Sequence, residues 1–200
     1  MRPGATDEEL MLAYRAGDAA AFDLLYMRHK GGVFRYLRRQ TGNAALADEL
    51  FQDVWLRLVD ARGRYEPQAK FATWLYTIAH NRLMDHFRAG RRSQLASYDN
   101  PDDDPVADLP AHDPPPEDTL ARKQEAARLL AAIDALPAAQ REAFVLQQEG
   151  DLSVEEIANA TGVTRETAKS RLRYALAKLR ASLRPRSAND ETAGAQSEPG

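Results

Sequence analysis

The chain has no cysteine among its 200 residues, which excludes a disulfide framework, a thiol nucleophile and a cysteine zinc site. No uninterrupted apolar run approaches the roughly 20 residues needed to cross a bilayer. The start, MRPGATDEEL, is acidic and polar and lacks the charged-then-apolar build of a secretory signal. A cytoplasmic protein without membrane insertion is expected. The histidines, His29, His80, His86 and His112, form no HExxH pattern, and no phosphate-cradling glycine motif occurs. Asp85-His86 is an isolated pair. No catalytic residue, metal or cofactor is expected, so the chain reads as a binding protein rather than an enzyme.

Net charge is also small, at −3, but it averages unlike pieces. Residues 1–96 carry 15 Lys+Arg against 11 Asp+Glu, and residues 119–186 carry 12 against 8. Between them, residues 97–118 carry 8 acids and no base. Such asymmetry says more about partners than the total does. Two basic modules are joined by an acidic strap.

The strap, DNPDDDPVADLPAHDPPPED, holds six prolines, which break helix and sheet pairing while its like charges repel. Residues 93–118 are therefore expected to be an extended linker. The last stretch, residues 187–200, has no large apolar residue and is expected to be disordered.

Both modules read as helical, and nothing alternates with period two. Leu10, Ala13 and Tyr14, then Phe22, Leu25 and Tyr26, then Val33, Phe34 and Leu37 recur at three- and four-residue steps. Leu46, Leu50, Val54 and Leu58 continue the pattern, followed by Phe71, Trp74, Leu75, Ile78, Ala79, Leu83 and Phe87. Gly31-Gly32, Thr41-Gly42-Asn43 and Arg62-Gly63 to Pro67 punctuate the chain. The expected fold is all-α: an N-terminal bundle of about four helices over 7–92, and a C-terminal helical domain over 119–184. In the second module Pro137 suits the first turn of a helix.

The most informative segment begins at Leu152. Ser153 and Glu156 have the spacing of a capping box, Gly162 suits a left-handed helix end, and Thr164 suits the N-cap of a second helix running to about Leu183. Ile157, Ala158, Val163, Ala168 and Leu172 are small enough for two helices to cross closely. This is a helix-turn-helix. Its second helix presents Arg165, Glu166, Thr167, Lys169, Ser170, Arg171 and Arg173, with Thr164 at its start. From Val163 to Arg186 there are eight bases against one acid. Such a helix fits the major groove of B-DNA. Arg165, Lys169 or Arg171 can each reach guanine O6 and N7 while the others hold phosphates.

LPAAQREAFVLQQEGDLSVEEIANATGVTRETAKSRLRYALAKLR closely resembles the −35-reading domain of the extracytoplasmic-function sigma factors, a group of the sigma-70 family. ADELFQDVWLRLV resembles that family's polymerase-binding helix, and KFATWLYTIAHNRLMDHFRAGRR its −10-reading, strand-separating segment. The motifs occur in the family's order around a variable linker.

The resemblance implies that residues 7–92 bind core RNA polymerase and melt the −10 element, and that residues 119–184 read the −35 element. The polymerase-docking positions it implies are Asp48, Glu49, Gln52, Asp53 and Trp55. Exposed carboxylates there suit a basic partner surface. For −10 capture, Asn81 matches the family position that helps to hold a flipped base. Tyr65, Lys70, Phe71, Trp74, Tyr76, Arg82 and Arg88 are further candidates, because an unstacked base needs aromatic or amide walls with cations for the phosphates. Phe71, Trp74 and Phe87 also lie on the helical stripe, where aromatics pack in the core. The acidic linker is either a plain spacer or an RNA mimic in a basic polymerase channel.

Expected partners are core RNA polymerase and promoter DNA, duplex at −35 and single-stranded at −10, with an anti-sigma factor as a possible regulator and a monomer when free. The other reading is a stand-alone repressor, which would bind paired half-sites as a dimer.

Overall fold

A computed structural model describes residues 4–96 and 118–184, without the side chains of 91–96 and 118–121. Among the described residues every regular element is helical. The first module comprises α1 (Asp7–Arg15), α2 (Ala19–Thr41), α3 (Ala44–Ala61), a short 3-10 turn (Arg62–Arg64) and α4 (Phe71–Ala96). The second comprises α5 (Asp118–Asp134), α6 (Ala138–Gly150), α7 (Val154–Thr161) and α8 (Arg165–Ser182). The expected linker start at 93 falls inside α4, which continues to Ala96. The last residue of that expected linker, Asp118, opens α5, while residues 97–117 and the tail from 187 lie outside the described residues.

Local chemistry sets most of the boundaries. The Thr6 side chain accepts from Glu9 N and the Glu9 side chain from Thr6 N, so a capping box starts α1. Asp18 caps α2 through Ala20 N, and Asn43 caps α3 through Leu46 N. Gly42, at φ 67°, supplies the left-handed residue that ends α2. The start of α4 is held from another element, because Glu8 Oε1 accepts from Phe71 N at 2.7 Å.

Of the expected stripe on α3, Leu50, Val54 and Leu58 are wholly enclosed and Leu46 is half-buried. Opposite them lie Leu25, Val33 and Leu37 of α2 and Phe71, Leu75 and Leu83 of α4. Phe87, expected on the same stripe, is 41% exposed. Arg88 to Gly90 are exposed as well, so α4 has outrun the helices that cover its earlier turns. Pro137 stands one position earlier than expected, as the N-cap of α6 rather than within its first turn.

Gly31-Gly32 does not interrupt the chain, since α2 runs straight through it. The reason is a close approach between the modules. A Cβ on Gly32 would meet the Glu149 backbone oxygen at 2.9 Å and Tyr76 Oη at 2.7 Å. On the other side, a Cβ on Gly150 would meet the Tyr76 ring at 2.6 Å. The modules pack directly, α2 against α6 and α4 against α7.

Candidate nucleic-acid interface

The helix-turn-helix is built by its caps. Ser153 and Glu156 exchange the predicted pair of hydrogen bonds, at 3.3 and 2.8 Å, and start α7. The Glu156 carboxyl lies below its usual range: burial acts to raise it, but hydrogen bonds from Ser153 and Lys70 outweigh that. Gly162, at φ 66°, ends α7, and the Thr164 side chain accepts from Thr167 N to start α8. Ala168, Leu172, Ala175 and Leu179 form the buried face of α8.

The opposite face of α8 is open. Arg165, Glu166, Lys169 and Arg173 are exposed, with Thr164 at the exposed N-cap. Thr167, Ser170 and Arg171 are half-buried and line a shallow cleft of about 360 Å³ with Gln140, Glu166 and Tyr174. Arg173 lies over the Tyr174 ring at 4.9 Å, and Arg165 is 3.8 Å from Glu166. The amino-terminal turns of α8 thus present cations, hydroxyls and one carboxylate outward, the donor and acceptor set that base edges and phosphates require.

The α4 side chains divide into arcs. Phe71, Leu75, Ala79 and Leu83 face the bundle core. Trp74, Asn81 and Arg88, spaced by seven residues, run along one side of α4, where the Trp74 ring packs inward on Tyr65 and Phe71, as its place on the helical stripe predicts. Asn81 and Arg88 are exposed, and Trp74 is half-buried with its ring 4.9 Å from Tyr65. Lys70, one turn before Trp74, is exposed and lies 3.3 Å from Glu156. Arg88 also lies 3.3 Å from Asp85. Arg82 turns away from this face and pairs with Asp53 at 2.6 Å.

Three of the aromatic candidates are enclosed. Tyr65 and Phe71 are buried together with ring centroids 6.2 Å apart, and Arg15 donates to the Tyr65 backbone oxygen at 2.7 Å. Burial, with Glu8 and Asp7 nearby, pushes the Tyr65 hydroxyl up to about 12. Tyr76 is buried at the contact between the modules, edge-on to Tyr36 with centroids 5.6 Å apart. Burial and then Glu149 hold its hydroxyl well above the ordinary range.

The acidic face of α3 is open at Asp48, Glu49 and Gln52, with Asp53 half-buried beneath Arg82. Trp55 is not part of that surface. It is 6% exposed and sits among Phe22, Tyr26 and Phe51, with the Tyr26 ring centroid 4.9 Å away. There it fastens α3 to α2.

Sequence reasoning missed a polar seam between the modules. Tyr36 Oη donates to Glu142 Oε1 at 2.7 Å, and His80 Nδ1 lies 2.7 Å from the same oxygen. Arg35 grips Glu149 with Nε and Nη2 at 2.7–2.9 Å, which raises the guanidinium pKa further, and Arg39 meets Asp134 at 2.8 Å. A glycine within a helical pattern can mark close packing, and Gly32 and Gly150 are clues of that kind.

Residues 25–93 match the family described as Sigma-70 region 2, and residues 126–179 match Sigma-70, region 4. The RNA polymerase sigma factor CarQ of Myxococcus xanthus is 35% identical over 170 residues, which cover 85% of this chain and 93% of CarQ. The chain is an extracytoplasmic-function sigma factor of the sigma-70 family. The ECF sigma factor RpoE of Cereibacter sphaeroides is likewise 35% identical, over 82% of this chain and 86% of its own length. Among solved structures, the sigma factor RpoE in complex with the anti-sigma factor NepR from Bartonella quintana superposes with a TM-score of 0.65. That match is 22% identical and covers 83% of this chain and 98% of that one. CnrH in complex with the cytosolic domain of CnrY gives 0.62 at 23% identity, covering 90% of this chain and 99% of that one. At those identities the likeness establishes the fold. As a sigma factor, the protein directs RNA polymerase to promoters for transcription initiation.

Proposed function

We propose that this sigma factor divides promoter reading between two exposed helix faces. The α8 face, from Thr164 to Arg173, reads the −35 element in the major groove. The Trp74–Asn81–Arg88 face of α4, with Lys70 beside it, captures −10 bases of one strand. The open carboxylates of α3, Asp48 and Glu49, with Gln52, dock on core polymerase. Residues 7–92 and the last turn of α4 serve as the polymerase-binding and melting domain, and residues 119–184 as the −35 domain.

The observation that carries this reading is the exposure of Asn81 in line with Trp74 and Arg88, on a chain whose α8 presents a second, separate cationic face. Binding energy is the whole of the factor's work: polymerase docking brings the faces to DNA, −10 capture stabilises the opened strands, and RNA growth releases the factor. The relatives solved with NepR and with CnrY support control of this chain by an anti-sigma protein.

The test is transcription from a promoter-library template by core polymerase, with the protein added or withheld. Start-site-specific transcripts that need the protein are expected. Duplex binding to a palindrome without any association with core polymerase would replace this reading with that of a repressor.

A further inference from the structure

The segment between the 3-10 turn and α4 has enclosed ends and an open middle. Tyr65 and Phe71 are buried, whereas Glu66, Pro67, Gln68, Ala69 and Lys70 are all exposed. Within the middle, Gln68 N donates to Glu66 O and Gln68 Nε2 to Glu66 Oε2, both at 2.8 Å. These five residues lie between elements, so their conformation depends on how the two ends are fixed.

Both ends are fixed by α1. Arg15 Nη1 donates to the Tyr65 backbone oxygen at 2.7 Å, and Glu8 Oε1 accepts from Phe71 N at 2.7 Å. Seven residues apart, Glu8 and Arg15 stand two turns along one face of α1, on the order of 10 Å from each other. A third contact lies just upstream, where the Arg62 guanidinium stands 5.5 Å from the centroid of the Tyr14 ring. The start of α1 is itself held on α2. Asp7 meets Arg28 and His29, each at 2.6 Å, and Arg28 donates to Ala5 O at 3.0 Å.

The Glu8 contact has the character of a cap supplied from outside. Helices α1, α2, α3, α7 and α8 are each capped by the side chain of their own N-cap residue. Lys70, whose backbone oxygen accepts from Trp74 N, carries an ammonium with no acceptor to offer. The Phe71 N–H is one of the donors that a helix start leaves without an internal partner. A carboxylate from α1 meets that need, and its charge suits the positive end of α4. After burial, the same charge is the next cause that raises the Tyr65 hydroxyl, so Glu8 stands near Tyr65 as well as Phe71.

We infer that Glu8 and Arg15 are positioning residues for −10 recognition: they hold residues 66–70 in the shape that meets the captured base, without touching DNA themselves. The inference rests on the −10 reading proposed above, since Lys70 and the start of α4 belong to that reading surface.

The test is selection by core polymerase from a template pool randomised at both elements, with wild-type, Glu8→Ala, Glu8→Gln and Arg15→Ala chains. Glutamine keeps an oxygen that can accept from Phe71 N. Glu8→Ala and Arg15→Ala are expected to reduce the strongest −10 base preference at least about fivefold, the scale of one lost hydrogen bond. The −35 preference and core polymerase affinity stay unchanged, and Glu8→Gln stays within about twofold of wild type. A purely structural brace lowers the yield of folded factor and leaves base preference where it was. Unchanged preference in folded Glu8→Ala and Arg15→Ala chains therefore overturns the inference, as does a Glu8→Gln shift equal to that of Glu8→Ala.

Asn81→Ala separates this failure from failure of the reading beneath it. If that variant and the wild type select the same −10 bases, the −10 reading itself is wrong. The brace is then judged on the free protein by limited trypsin cleavage at Arg64 and Lys70, read by mass spectrometry. Cleavage at least about fivefold faster in Glu8→Ala, with Glu8→Gln at the wild-type rate, supports it. Equal rates in all chains overturn it.

Discussion

Arg82 donates from Nε to Asp53 Oδ2 at 2.6 Å, tying α4 to the acidic face of α3. The arginine is only 14% exposed at its side chain, so the pair is partly shielded from water. Arg82→Ala should therefore cost about 1.5 kcal/mol of unfolding free energy, the low end for a hydrogen bond between charged groups because Asp53 keeps contact with water. Asn81 is exposed, and Asn81→Ala should leave the urea midpoint unchanged while impairing strand opening. Urea denaturation of the two variants, read beside their open-complex yields, separates a structural role from a reading role.

Gly162 isolates backbone strain from crowding. Its φ is +66°, and a Cβ there would meet nothing within 4 Å. Gly162→Ala should cost about 1 kcal/mol from the left-handed conformation alone. Ser153→Ala removes one half of the capping box and should cost about 1 kcal/mol. Thermal unfolding of each variant checks both values.

Lys169 is exposed on the outer face of α8 and has no caging aromatic, unlike Arg173 beside Tyr174. If it holds a phosphate, Lys169→Ala should weaken duplex binding about equally across sequences and reduce the salt slope by about 1. A change in base preference with an unaltered slope would make it a base reader instead. Fluorescence anisotropy across a salt series distinguishes these outcomes.

Three of the seven tyrosines should titrate late. Burial raises the hydroxyls of Tyr36 and Tyr76 at the seam, and that of Tyr65 to about 12 within the first module. A raised value means that the packed arrangement favours the protonated hydroxyl. The seam's contribution from Tyr36 and Tyr76 is thus complete below the ordinary tyrosine value of 10.0 and is lost as pH climbs through the raised values. In a tyrosinate absorbance titration, Gly32→Leu should return Tyr36 and Tyr76 toward the ordinary value and leave Tyr65 late.

Local signals made much of the fold legible in the sequence. Ser153 with Glu156, Gly162 and Thr164 act within a few residues of themselves, so their spacing sufficed to place α7 and α8. The Leu50–Val54–Leu58 stripe declared the buried face of α3 in the same way. What escaped depends on distant partners. Arg35 and Glu149 are 114 residues apart, and neither has a neighbour in sequence that announces the other. For the same reason Gly31-Gly32 read as punctuation, although Gly32 is a contact point in mid-helix. Trp55 matched a docking position by resemblance, yet its ring is taken by Phe22, Tyr26 and Phe51. Asn81, Arg165, Lys169 and Arg173 needed no distant partner, and they stand exposed, while Arg171 is half-buried.

The central claim is the division of reading between α4 and α8, and promoter selection tests it most directly. Core polymerase with wild-type, Asn81→Ala or Arg171→Ala factor transcribes a template pool randomised at both elements, and the productive promoters are sequenced. The account predicts that Arg171→Ala relaxes base preference in the −35 block alone and Asn81→Ala in the −10 block alone. Unchanged preferences in both variants, or loss of −10 preference on Arg171→Ala with −35 intact, would contradict it.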